Sequence, residues 1–182
     1  HETITKLDQT FITPLDRDAF GATVGQSLPN WGLIPEQGRS RTVAMTNLYN
    51  DPDTLAQRRA RLATVISAEL QGEMSDNPQP GLLATILHEA THNLGPAAGH
   101  RYRGKLDDDA FGGELASVLE ELKAQTGALF LLALLADRGV IDAAMERHAY
   151  VDSVLWALGH ISRGMYTPEG QRRTYSQLSA IQ

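Results

Sequence analysis

Residues 81–94 read GLLATILHEATHNL, and this stretch decides the fold. Leu83, Leu87, Ala90 and Leu94 recur at the spacing of one face of an α-helix. A polar loop from Ser75 to Pro80 precedes the run, and Gly95-Pro96 stops it. The spacing predicts a helix with an apolar stripe on one side. His88 and His92 lie on the other side, beside the small residues Gly81, Ala84 and Thr85.

Outward from this segment the chain divides into further pieces of helical length. Asn50-Asp51-Pro52-Asp53 reads as a turn with Asp53 as N-cap, opening a helix through Leu55, Leu62, Val65, Ile66 and Leu70 that ends at Gly72. A long helix is expected from Glu114 to Leu135, with Leu115, Val118, Leu119, Leu122 and Leu129 as its stripe and Phe130–Leu135 as core. Another runs from Ile141 to Ser162, and Pro168-Glu169 starts a last one. Residues 21–40, rich in Gly and Pro, read as loop, and Thr42–Tyr49 carries the β-branched residues of a short strand.

The 182 residues fit one domain, 1–182, and their 22 acidic against 16 basic side chains give a formal charge of −6. No basic cluster offers a footprint for nucleic acid or an anionic membrane surface, so neither is expected as a partner. Ala128–Ala136 is the longest apolar run and falls short of the roughly 20 residues that span a bilayer. Cysteine is absent, so any metal must be held by His, Asp or Glu. His1 at the start and a helix-like stretch up to Gln182 lead us to expect a piece of a longer polypeptide, whose remainder is a possible partner. The compartment is left open between cytoplasm and cell envelope.

His88-Glu89-Ala90-Thr91-His92 is an HExxH pattern. On a helix the two histidines stand one turn apart and can direct ring nitrogens to a single zinc ion, with Glu89 beside them as general base. A catalytic zinc needs a third protein ligand. The metzincin spacing fails on register, because position 98 is Ala98 and His100 comes too late. On the downstream helix Glu114, Glu121 and Gln125 share one flank of the apolar stripe, whereas Glu120 points nearly opposite. Glu121 and Glu114 are therefore the candidates for the third ligand.

ILHEATHNLG (86–95) together with EELKAQTGALF (120–130) resembles the two signature motifs of the dipeptidyl-peptidase III family of zinc peptidases. The resemblance implies His88, His92 and Glu121 as ligands of one Zn2+ per chain and Glu89 as the base. SLPNWGLIPEQGRSRTVAMTNLY (27–49) is similar to the family's segment beside the cleft, which makes Asn47 a candidate for holding substrate backbone. The sequence departs from the family pattern at Gln125, where a carboxylate that orients a ligand is expected, and in having no extra residue between the two histidines. The implied fold class is mostly α, a helical metallopeptidase catalytic domain with a short β element near residues 42–49.

The expected activity is hydrolysis of peptide bonds in short peptides. Water activated at the zinc attacks the carbonyl and Glu89 moves its proton. Negative charge on the tetrahedral intermediate needs a donor. His148, which resembles the family's downstream His region, and His160 are the available histidines. A zinc hydrolase acting on an ester, lactone or other small non-peptide substrate is one alternative, and a non-catalytic module pinned by zinc is another.

Overall fold

The computed structural model describes residues 25–28, 41–44, 46–92, 94, 101–106, 109–110, 114–171 and 173. It is mostly helical. A two-stranded antiparallel hairpin, β1 (Gly25–Leu28) and β2 (Arg41–Ala44), pairs Gly25 with Ala44 and Leu28 with Arg41. Short helices α1 (Thr46–Asn50), α2 (Pro52–Val65) and α3 (Ala68–Gln71) lead to α4 (Gln79–Thr91). A small hairpin, β3 (Arg101–Tyr102) and β4 (Lys105–Leu106), precedes the long helices α5 (Glu114–Asp137) and α6 (Ala143–Ile161). Among the described residues no helix is long and apolar enough to cross a membrane.

Several local expectations are corrected. The strand foreseen over 42–49 stops at Ala44, and Thr46–Asn50 is already helical. The cap of α2 is Asp51 rather than Asp53: its carboxylate accepts from the Thr54 amide at 2.8 Å, while Pro52 fills the first turn, where no amide is needed. The helix also breaks at Ile66 before α3 resumes toward Gly72. Pro168-Glu169 lies in a turn, where the Thr167 amide donates to the Gln171 carbonyl at 2.7 Å and Gly170 takes φ +81°. Within the expected loop 21–40, Gly25–Leu28 forms strand β1, and residues 21–24 and 29–40, like His100 and residues 174–182, lie outside the described residues.

Helix α4 is the centre of the fold, packed by α5, α6, α1 and both strands of the first hairpin. The polar side of the helix is buried as well as the expected apolar one. Pro80, Leu82, His88, Glu89 and Thr91 are buried, Leu83, Leu87 and Ala90 of the expected stripe are half-buried, and Leu94, beyond the helix end, is exposed. The polar face can turn inward because α5 brings hydrogen-bonding partners to it, as described below. Helix α5 presents Ala116, Val118, Ala124, Ala128 and Leu132 as its buried side. Helix α6 presents Ala149, Ser153 and Ala157, one residue per turn. Small side chains let helix axes approach closely. Phe130, expected in the core, is instead 66% exposed.

Polar braces fix the near end of α4. Arg58 of α2 pairs with Asp152 of α6, and the Tyr49 hydroxyl of α1 bonds Thr85 Oγ1 of α4. Gly81 fits beneath this group, since a Cβ there would lie 3.0 Å from Asp152 Oδ2. The Tyr150 hydroxyl donates to the Leu129 carbonyl at 3.1 Å and ties α6 to α5.

The tightest point is Gly127, where a Cβ would stand 2.3 Å from Thr91 Cγ2. Thr91 has little freedom to retreat, because its hydroxyl is bonded to the Leu87 carbonyl at 2.7 Å. Gly127→Ala gains up to about 1 kcal/mol of helix propensity. The overpacking penalty, about 1–3 kcal/mol, exceeds it. Thermal unfolding should therefore show Gly127→Ala less stable than wild type, with Thr91→Ala in the same chain restoring part of the loss. A Gly127→Ala chain at least as stable as wild type would contradict the close approach.

Candidate metal centre

Both histidines stand on the last turn of α4, and the helix ends at His92, its C-cap. Opposite them runs α5, with Glu120, Glu121, Lys123 and Gln125 on the facing stretch. His88 Nε2 is 3.2 Å from Glu121 Oε2, and His92 Nε2 is 3.7 Å from the same oxygen. The ligand atoms of His88, His92 and Glu121 all lie within 4.8 Å of one another, a spacing that one metal ion can bridge. The imidazole rings meet edge to face, with centroids 5.0 Å apart.

The other ring nitrogens are engaged from behind. His88 Nδ1 donates to Gln125 Oε1 at 3.1 Å, and His92 Nδ1 donates to Glu120 Oε1 at 2.9 Å. With both Nδ1 atoms engaged by side chains of α5, it is Nε2 of each ring that faces the Glu121 carboxylate, where an ion would be held. The donor set thus fits a divalent ion of the zinc type.

Gln125 stands where the motif resemblance leads one to expect an orienting carboxylate, and its carboxamide oxygen accepts from His88 Nδ1 instead. Glu120 is the residue that sequence reasoning missed. A helical wheel turned it away from the site, yet its carboxylate reaches His92 from the edge of the helix contact. Lys123 Nζ lies 2.8 Å from the same Glu120 oxygen and donates to the His92 carbonyl at 3.5 Å. The signal was available in Glu120 and Lys123, an oppositely charged i,i+3 pair on the facing helix.

The electrostatics follow from these contacts. Burial favours neutral His92, but the Glu120 hydrogen bond and the charges of Glu121 and Glu89 outweigh it and raise its pKa above the usual imidazole value. Burial likewise opposes charge on Glu120, yet hydrogen bonds from His92 and Lys123 hold its carboxyl below the ordinary range.

Glu89 is buried beside His88. It is close enough to both His92 and the Tyr49 phenol for its charge to bear on each. Burial is the main reason the Tyr49 pKa is raised, and the phenol stays a proton donor at neutral pH.

Among the described residues, two further histidines lie 12 positions apart on α6. His148 acts on Asp152, in the Arg58 brace near Gly81. His160 stacks on Trp156 with centroids 4.5 Å apart, and Trp156 in turn lies 6.3 Å from the His88 ring. About 18 Å of helix rise separates His148 from His160. Burial, then the charges of Arg163 and Arg173, lower the His160 pKa to about 4. Asn47 lies on α1, which packs against α4. Its side chain, like that of Glu114, lies outside the described residues.

No family model matches the chain, and no curated protein matches it in sequence. Among solved structures, that of DPP III from Caldithrix abyssi matches with a TM-score of 0.67 at 19% identity, over 87% of this chain. The match takes in 29% of that protein's chain. The fold around α4, α5 and α6 is therefore similar to part of DPP III.

Proposed function

We propose that this chain is a zinc-dependent metallopeptidase of the dipeptidyl-peptidase III kind, with residues 1–182 forming one catalytic unit that hydrolyses short peptides. The observation that carries the reading is the convergence of His88, His92 and Glu121 within 4.8 Å, with Glu89 buried at the adjoining position. The similarity of fold to DPP III supports it, as do the two sequence motifs.

His88, His92 and Glu121 would hold a zinc ion, which when bound would supply Lewis acidity toward a peptide carbonyl and lower the pKa of water toward about 7. The Glu89 carboxylate accepts a proton from the attacking water and returns it to the leaving amine nitrogen. Asn47 on α1 is the candidate for holding substrate backbone. His148 and His160 of α6 are the candidate donors to the tetrahedral intermediate; His160 stacks on Trp156, whose ring centroid lies 6.3 Å from that of His88, and His148 lies near Asp152.

Glu89→Gln should keep the metal and lose at least about 100-fold in turnover of short peptides, the contribution typical of a general base. Glu121→Ala should lose both metal and turnover. Metal content by plasma mass spectrometry beside a peptide-substrate panel reads both outcomes, and full turnover in Glu89→Gln would refute the mechanism.

Zinc must also displace the proton that the raised pKa of His92 retains in the metal-free chain. Affinity should therefore fall as pH drops through that pKa. Calorimetry in buffers of different ionisation enthalpy should show protons released on zinc binding.

A further inference from the structure

The hydrogen bonds behind the two imidazoles differ in charge. His92 Nδ1 meets a carboxylate, Glu120, anchored through the same oxygen by Lys123. His88 Nδ1 meets the neutral carboxamide of Gln125, which is only 6% exposed, so bulk water does not substitute for the missing charge. A carboxylate behind an imidazole draws on the Nδ1 proton and makes Nε2 a stronger electron donor. A carboxamide fixes the ring with much less of that effect.

We propose that the two histidines are unequal donors, His92 the strong one and His88 the weak one, and that Gln125 acts as a positioning residue that orients His88 while leaving zinc affinity below what a carboxylate at the same place would give. This deepens the metal-centre reading above and rests on it. Three observations carry the inequality: the two second partners, their difference of one charge, and the burial of Gln125. With a weak donor at His88 the ion stays electron-poor, which favours polarisation of a carbonyl, and it exchanges more readily.

The test is zinc affinity of the whole chain, measured by competition with a chromophoric chelator and independent of turnover. Gln125→Glu adds charge at the same place and should tighten zinc by about 10-fold, whereas Glu120→Gln keeps an acceptor, removes the charge and should loosen it by about 10-fold. Gln125→Leu, which removes orientation without adding charge, should also loosen it. Circular dichroism of each variant checks the fold.

Zinc on wild type with Gln125→Glu no tighter overturns the proposal and leaves the metal centre standing. Should Gln125→Glu fail to fold, unchanged affinity in Glu120→Gln overturns it equally. No zinc on the wild-type chain removes the metal centre and this inference with it.

Discussion

The approach of α5 to α4 at Gly127 and Thr91 is the constraint on which the rest of the structure depends. A side chain at position 127 would force the helices apart, and every contact that matters chemically spans that gap. Glu121 reaches His88 and His92 across it, Gln125 and Glu120 reach their Nδ1 atoms, and Lys123 reaches the His92 carbonyl. These are distances of about one hydrogen bond, which long side chains cannot recover if the axes separate by more than about 1 Å. The small buried residues of α5 and α6 serve the same end, since Ala124, Ala128, Ala149 and Ala157 bring the helices close.

This spacing also explains how a polar face comes to be buried in the middle of the fold. A lone imidazole or carboxylate inside a helix contact costs several kcal/mol. Here the partners arrive on the same helix whose close packing removes the water. Satisfaction and burial are therefore one event, and a helix that docked loosely would pack poorly and also strand its histidines. The brace of Arg58, Asp152, Tyr49 and Thr85 steadies the opposite end of α4, leaving the last turn as the end that faces α5.

Much of this was legible in the residues. The HExxH spacing located α4, and one-flank reasoning on the downstream helix put forward Glu121 together with Glu114, of which Glu121 joins the histidines. What failed has a common cause. Patterns of large apolar residues point to where bulk could be buried, but a tight crossing selects Gly and Ala, so Leu94 and Phe130 lie outside while Ala124 and Thr91 lie inside. A helical wheel records the direction of Cβ and not the reach of a side chain or the position of the crossing, which is why Glu120 was set aside. The strand expectation failed similarly. Thr42 and Val43 do pair in the hairpin, but the ladder gives way to helix α1 at Thr46, just ahead of the Asp51 cap that starts α2.

Helix α4 stops at the second histidine of its motif. Its final carbonyls, with the negative end of the helix dipole, are therefore gathered beside the place where a cation would bind. The Lys123 ammonium already takes advantage of that end through the His92 carbonyl. Fraying of the last turn would pull His92 away from His88 and Glu121. Unwinding of one helical turn and release of an ion are thus linked equilibria, each drawing the other along. The hydrogen bonds from the His92 amide to the His88 and Ala90 carbonyls that close this turn are therefore reinforced by whatever cation His88, His92 and Glu121 hold.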